Sequence, residues 1–352
     1  MTPRRFSRAI ALLIGCFCLL IGARFTQGQG DSSCPALVNE ALTRTTSLCG
    51  ATGRNEVCYG NDSMQTEPSA LLDAPGDITA IDQITRLSLG ALDDSTHRWG
   101  VAMARLQVNL PDTLPGENVT FLLYGDAIFE PLVSADAPGA VPVNAFRLKT
   151  GITGMTCGQT AMNGLLVQTP DSSSAQKIAF TLNGVEVRMG STVAFSASAA
   201  DGLIVRVIEG AALIESDGVQ SIAVAGSQVT VPLDESLAAA GVPSLPIEYD
   251  AQWVEFLPID PLEREIEIAA PLDETALDDL IAAIEDETAI EDLETWFEDG
   301  DYNEYIADPD DAIDDDAIVQ TDEFDAPLDP TDVPPEVDDG SGSDDDGWLW
   351  VG

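Results

Sequence analysis

Apolar and polar positions alternate through the middle of the chain, from Ile178 to Leu233. Residues 178 to 182 and 185 to 189 each place apolar side chains at every second position, and Asn183-Gly184 separates the two runs. Such a pair favours a β-hairpin, because a type I′ turn needs positive φ at both of its central residues. The pattern therefore predicts two paired strands at the start of a longer ladder.

The ladder continues with short alternating runs that end at turn residues. The predicted strands are residues 193–199, 203–208, 211–215, 221–224 and 229–231, with turns at Asp201-Gly202, Glu209-Gly210, Asp217-Gly218 and Gly226. Short strands with turn signals every roughly eight to twelve residues predict a β-sandwich or a small barrel. One sheet cannot bury its apolar face alone, so we expect two packed layers.

The preceding part of the chain predicts one helix and a second β-rich region. Ser33 is a good N-cap residue, and apolar residues recur at helical spacing through residues 34 to 48, which predicts a short amphipathic helix. Residues 65 to 150 contain further alternating runs between proline-containing turns. The predicted fold class is mainly β: a sandwich or jelly-roll-like module, a second β-rich region with the N-terminal helix, and a C-terminal tail.

Two stretches of the ladder resemble the core of FecR-like domains. They are VIEGAALI, from Val207 to Ile214, and VAGSQVTV, from Val224 to Val231. In that family a strand ends in Glu-Gly, the next strand follows at once, and a later Gly-x-Gln precedes the closing strand. The resemblance implies an extracytoplasmic β module that binds a ligand or a protein.

The remainder of the body resembles an uncharacterised family of bacterial envelope proteins. The resemblance rests on a Cys-bearing N-terminal helix and on the stretches RNEVCYGN and WGVAMARLQVNLPDTLPG. It implies no particular activity. Some FecR-like proteins are transmembrane regulators of sigma factors, but here about eight residues precede the first apolar run, too few for a cytoplasmic sigma-binding domain. We therefore expect a module outside the cell without that regulatory circuit.

The first 30 residues fit a secretory signal peptide. Three arginines precede an apolar run from Ala9 to Ala23, and a small-residue stretch follows. Leu13-Ile14-Gly15-Cys16 also fits a lipoprotein cleavage box that would place a lipid on Cys16, although strongly apolar residues continue to Ile21. No second apolar run of spanning length follows. The expected location is the bacterial cell envelope or the medium.

Four cysteines remain after removal of the signal segment: Cys34, Cys49, Cys58 and Cys157. An even number in an exported chain predicts two disulfides, with three alternative connectivities. A zinc site is disfavoured because no C-x₂-C pair occurs. A Cys34–Cys49 bond would join opposite ends of the predicted helix, about 22 Å apart. We favour Cys34–Cys58 with Cys49–Cys157, which would join the helix to both β regions.

Acidic residues are concentrated in the C-terminal third of the chain. The net charge is −46, and residues 260 to 352 hold 35 of the 61 acidic residues with one base, Arg264. Nucleic acid is excluded as a partner, because phosphate binding needs positive charge. From about residue 307 onward the tail lacks apolar periodicity and repels itself, which predicts disorder.

Composition changes along the chain predict its organisation. The predicted parts are a signal peptide (1–30), a helix with a β-rich domain (31–150), a FecR-like β domain (151–246), a proline-spaced linker (247–272), one or two short acidic helices (273–306) and the acidic tail (307–352). Apolar residues recur at helical spacing between residues 274 and 297. That piece could dock on the body or bind a partner.

Candidate chemistry is sparse. Serine, cysteine and metal hydrolases usually need histidine as a base or a ligand, and the one histidine, His97, lies in a polar stretch. Asp299, Asp301 and Asn303 match the first oxygen ligands of a calcium loop, and Asp310 falls at its twelfth position. Glu304 replaces the glycine that the sharp turn of such a loop needs. Diffuse binding of divalent cations by the whole tail is the alternative.

These observations predict a non-enzymatic protein without a cofactor other than Ca²⁺ at that loop. Its β module would bind a protein or polysaccharide of the envelope. The alternative function assigns the activity to the acidic tail, which would capture divalent cations or supply charge and hydration.

Overall fold

The protein is described by a computed structural model. The structure describes residues 34–69, 71–108, 118–132, 144–151, 163–170, 178–254, 256–286 and 288–290. These residues belong to one compact unit, Met1–Tyr302, while residues 303 to 352 form a second unit outside the described part. The signal peptide, the predicted calcium loop and the tail all lie outside the described residues.

The described part is mainly β, as predicted, and begins with a short helix. The helices are α1 (Cys34–Cys49), α2 (Ala251–Val254) and α3 (Glu274–Glu285), with a 3₁₀ turn at Ile81–Gln83. The strands are β1 (Glu56–Asn61), β2 (Met64–Glu67), β3 (Ile78–Ala80), β4 (Arg86–Leu89), β5 (Val101–Leu106), β6 (Val119–Tyr124), β7 (Ala127–Pro131), β8 (Ala145–Thr150), β9 (Gly164–Gln168), β10 (Ile178–Leu182), β11 (Val185–Ser198), β12 (Gly202–Ser216), β13 (Val219–Val224), β14 (Ser227–Val231) and β15 (Ile247–Glu248).

The hairpin predicted at Asn183-Gly184 is confirmed. Leu182 pairs with Val185 across a two-residue turn, and φ is +55° at Asn183 and +84° at Gly184. Glycine accepts this conformation without steric cost, and asparagine tolerates it better than most residues. The predicted helix over residues 34 to 48 is also confirmed, one residue longer at its C-terminal end.

The turn predicted at Glu209-Gly210 and the break predicted before residue 193 are both wrong. Strands β11 and β12 run without interruption and pair along their whole length, with one register shift at Thr192/Val193 that leaves Ile208 as an extra residue. Gly210 has φ +80° and lies so close to Gly190 that a Cβ there would be 2.2 Å from the Gly190 carbonyl oxygen. The β-bulge of β12 therefore lies at Ile208, and Gly210 continues the strand opposite Ser191 instead of forming a turn.

The bulge bends the long hairpin, so that β11 belongs to two arms of one sheet. Its N-terminal half pairs with β10, and its C-terminal half pairs with β9. The first arm has the strand order β2-β4-β7-β8-β10-β11, and the second has the order β3-β1-β5-β6-β9-β11. Strand β12 continues both arms, since its C-terminal half pairs with β13 and its N-terminal half with β14.

The two arms face each other and enclose the main core. Phe121 of the second arm lies 5.4 Å from Phe146 and 5.9 Å from Phe180 of the first arm, measured between ring centroids. Phe180 also contacts Phe195 of the second arm, at 5.8 Å. The expected two layers are therefore the two arms of one bent sheet.

Strands from both sides of residue 150 build this core. Strand β8 pairs with β10, and β6 pairs with β9. One hydrophobic cluster contains side chains from β1, β2 and every strand from β4 to β14. The boundary predicted after residue 150 therefore lies within one sheet and one core.

A second core covers the outer face of the second arm. Helix α1 packs there together with Trp99 and with residues 249–272, which we call the strap. Tyr249 and Trp253 of the strap are buried, and the Tyr249 hydroxyl donates to the Ala269 carbonyl. The region predicted as a linker is thus packed against the body.

Helix α3 covers part of the outer face of the first arm. Its Ile284 and Leu280 pack against Leu213 and Ile222 of β12 and β13. The helix begins at Asp273, whose side chain accepts hydrogen bonds from two backbone N–H groups of the first turn, a favourable N-cap. The docking anticipated for residues 274 to 297 is observed for this helix.

The predicted disulfide pairing is wrong. Cys49 is bonded to Cys58, with Cα atoms 5.7 Å apart, so neither Cys34–Cys58 nor Cys49–Cys157 exists. Helix α1 ends at Cys49, and β1 returns beside the helix, where Gly60 lets the backbone approach Thr45 closely. Cys58 therefore meets the near end of the helix. Cys34 is also disulfide-bonded, to a partner outside the described residues.

Candidate interaction site

Residues 240–248, which we call the seam, close one open edge between the two arms. The Ser216 and Ser221 hydroxyls of the first arm donate to the carbonyl oxygens of Gly241 and Ser244, both at 2.8 Å. On the other side, the Ser244 N–H donates to the Thr230 carbonyl of β14 at 2.9 Å. Two serine hydroxyls thus hold the seam to the first arm, and a backbone hydrogen bond holds it to β14.

Exposed apolar side chains concentrate at this edge. Among the described residues, five large hydrophobic side chains are exposed, and four of them are Val219, Val242, Leu245 and Ile247, which expose 43 to 52% of their surface. Val219 lies in β13 between the two serines that hold the seam. The fifth, Leu132, directly follows the last residue of β7. This concentration of apolar groups makes the edge the candidate interaction surface.

Two prolines limit the backbone hydrogen bonds that this edge can form with a partner. Pro243 and Pro246 are buried and carry no N–H, so the seam cannot offer a regular ladder of donors to an incoming strand. Only Ser227 and Gln228 of β14 pair with β15. A partner would therefore dock on the side chains of the seam instead of extending the sheet.

A buried polar cluster lies beneath the strap. Arg206 donates to the Ser196 hydroxyl at 3.0 Å, and its guanidinium lies 4.1 Å from the centroid of the Trp253 ring. Burial lowers the pKa of Arg206 to about 10, against the attraction of Tyr124, Asp250 and Asp201. The arginine remains charged at neutral pH, and the indole covers it.

Tyr124 is the least satisfied polar side chain of this cluster. Its ring crosses β9 over Gly164, where a Cβ would lie 2.8 Å from the phenol oxygen. The hydroxyl has no hydrogen-bond partner in the described structure, and neither has Nε of Arg206. Burial raises the pKa of Tyr124 above its usual range. The phenol is therefore neutral at physiological pH.

An ion pair fixes the strap at the bend of the long hairpin. Arg264 donates from Nη1 and Nη2 to the two carboxylate oxygens of Glu209, at 2.7 and 2.6 Å. Burial opposes ionisation of Glu209, but hydrogen bonds from Arg264, Ser191 and Thr192 outweigh it and lower its pKa below the ordinary value of 4.5. Gln168 adds two hydrogen bonds to the Arg264 backbone.

The other predicted site residues are not brought together. Asp299, Asp301, Asn303 and Asp310 lie outside the described residues, and the described part holds no group of His, Cys, Asp or Glu suited to a metal ion. His97 is exposed in a turn closed by Asp93 and Arg98. No helix in the described ranges has the length and apolar character needed to cross a membrane.

The sequence reasoning missed the seam. The pattern along the chain predicts a proline-spaced linker at residues 247–272, although Val242, Leu245 and Ile247 stand among prolines without an adjacent charge until Glu248. That uncharged apolar stretch is the signal that could have identified it.

Comparison with known proteins finds little that is similar. No model of a known protein family matches the chain, and no curated protein matches it. Two crystal structures of a candidate anti-sigma factor from Parabacteroides distasonis resemble part of it at 12% identity, with TM-scores of 0.28 and 0.26. The matches cover 49% and 44% of this chain and 63% of the neighbour, less than two thirds of its length. Similarity at this level carries no information on function.

Proposed function

We propose that the protein is a non-enzymatic, extracytoplasmic binding module that recognises an envelope protein or polysaccharide through the seam. The concentration of exposed apolar side chains at the seam carries the proposal. The signal-peptide pattern of residues 1–30 and the resemblance of the ladder to FecR-like domains support the location and the class.

The rigidity of the seam suits it to recognition. Hydrogen bonds from Ser216, Ser221 and Ser244 hold the backbone to both arms, so Leu245 and Ile247 keep their positions without a partner. Preorganised apolar anchors lose little conformational entropy on binding. A partner that covers them gains the burial of surface that water now contacts.

Partner capture with substituted proteins tests the proposal. The full chain is compared with Leu245→Ser/Ile247→Ser and with Leu132→Ser, a matched control that removes an equally exposed apolar side chain elsewhere. We expect one saturable partner from the native envelope to be retained by the wild type and the control, and lost by the seam variant. Equal retention by all three proteins would contradict the proposal.

The acidic C-terminal region supports a second function. Residues 260 to 352 hold 35 of the 61 acidic residues, and this concentration favours capture of divalent cations or of cationic surfaces. In that case calcium or salt would release the retained partner, because exposed charges are screened. The seam substitutions would leave retention of the partner unchanged.

A further inference from the structure

The charge around the seam has one sign. Residues 207 to 263 include no Lys, Arg or His. Exposed carboxylates flank the apolar side chains: Asp217 follows Ser216, which holds the seam, and Glu248 and Asp250 follow Ile247. The seam is therefore an apolar surface with an acidic rim.

Arg206 of β12 does not neutralise this rim at the surface. Arg206 lies across β14 from Ile247, because Gln228 pairs with both residues. It is only 8% exposed, and the Trp253 ring covers its guanidinium. A partner that approaches the seam therefore meets its carboxylates and apolar groups before it meets Arg206.

We propose that the seam binds a cationic amphipathic segment of another polypeptide. Apolar side chains of that segment would cover Val242, Leu245 and Ile247, and its Lys or Arg residues would meet Asp217 and Glu248. This inference rests on the proposed function and names the chemistry of the partner. Complementary charge at the rim speeds encounter and selects partners, while the buried apolar centre supplies most of the affinity.

Other occupants fit the seam less well. A second copy would bring two acidic rims together, and each chain carries a net charge of −46, which opposes self-association. Anionic polysaccharides and anionic lipid surfaces share the sign of the rim and are repelled. Strand addition is disfavoured by Pro243 and Pro246, which lack N–H donors.

Three synthetic peptides test the inference with the full chain. The first is an amphipathic helix of Leu and Lys, the second has Glu at every Lys position, and the third has Ser at every Leu position. Binding is measured by fluorescence anisotropy for the wild type, for Leu245→Ser/Ile247→Ser and for Leu132→Ser. Acidic residues outside the seam give a background with cationic peptides, which the Ser-containing peptide measures and which is the same in all three proteins.

We expect the Leu/Lys peptide to bind the wild type and the control equally, and the seam variant roughly tenfold or more weakly, because two anchors are lost. The Leu/Glu peptide should not bind. Asp217→Asn with Glu248→Gln should weaken Leu/Lys binding by about two- to fivefold and reduce its dependence on salt.

The possible failures are distinguishable. Binding of the Leu/Glu peptide that depends on Leu245 and Ile247 would overturn the inferred charge of the partner and leave the seam as a binding site. Leu/Lys binding unchanged in the seam variant would overturn the inference itself. Sedimentation that shows self-association of the wild type, lost in the seam variant, would assign the seam to a second copy and also overturn it.

Discussion

The side chain of Asn183 connects three segments of the fold. Its Nδ2 donates to the Leu148 and Leu237 carbonyls at 2.9 and 2.7 Å, and its Oδ1 accepts from the Leu148 N–H at 3.0 Å. The amide therefore acts like a short piece of strand between β8 and the loop after β14. Asn183 is buried, so water cannot take over these hydrogen bonds when the side chain is changed.

Asn183→Asp tests this connection with almost no change in shape. A carboxylate cannot donate to the two carbonyls, and its charge would be buried against them, so we expect a loss of about 3 kcal/mol in the free energy of unfolding. Urea denaturation measures it. Asn39→Asp, on the exposed face of α1, is the control. A loss in Asn183→Asp no larger than in the control would contradict the assigned role.

Tyr124 and Tyr59 allow a paired test of hydroxyl burial. Tyr124 has no hydrogen-bond partner in the described structure, whereas the Tyr59 hydroxyl accepts from the Met64 N–H at 3.1 Å. Tyr124→Phe should therefore raise the free energy of unfolding by up to about 1 kcal/mol, and Tyr59→Phe should lower it by about the same amount. Thermal denaturation measures both, and a destabilised Tyr124→Phe would show an unrecognised partner.

Among the elements, the strap depends on the pair of Arg264 with Glu209. Arg264→Gln should lower the free energy of unfolding by about 1–2 kcal/mol at neutral pH. Because the pKa of Glu209 is lowered in the folded state, its contribution is present above its ordinary value of 4.5 and is lost as pH falls through the folded value. The difference between wild type and variant should therefore shrink at acid pH.

Denaturation at several pH values measures that difference. Arg188→Gln, which removes an exposed pair with Glu186, is the comparison, and exposed pairs contribute little. A difference for Arg264→Gln that stays constant from neutral to strongly acid pH would contradict the role of Glu209.

Helix α1 and strand β1 are joined by the Cys49–Cys58 disulfide. The bond closes a loop of nine residues in sequence separation, and loss of such a constraint should reduce the free energy of unfolding by about 2–3 kcal/mol. Cys49→Ala/Cys58→Ala tests this value by urea denaturation. Peptide mapping of the wild type under non-reducing conditions should recover the two cysteines in one linked pair, and a Cys34–Cys58 peptide would contradict the structure.

At the scale of the whole molecule, elements with local signals were predictable and their pairing was not. Asn183-Gly184 specifies its hairpin within four residues, and helix α1 follows from the apolar spacing of residues 34 to 48. A glycine at positive φ, such as Gly210, occurs in turns and also within a continuous strand beside a bulge. The choice depends on whether β11 and β12 pair throughout, which is a long-range property.

The candidate site was less predictable than the fold for the same reason. The apolar residues between Gly241 and Glu248 are visible in the sequence, but their exposure follows from hydrogen bonds to Ser216, Ser221 and Thr230. Those partners are separated from the seam along the chain, and no local pattern marks them. The Cys49–Cys58 bond likewise depends on how β1 returns beside α1.

The strap and α3 have a consequence for biosynthesis. The strap and α3 bury the outer apolar faces of the two arms, but both are translated after every long strand. A nascent chain that ends before Tyr249 leaves Trp99, Leu213 and Ile222 uncovered. A fragment of residues 31–248 should therefore bind the dye ANS and aggregate, whereas a fragment of residues 31–290 should not. The strap and α3 are thus synthesised after the strands that they cover. Truncations near residue 249 should therefore promote aggregation more than their distance from the main core suggests.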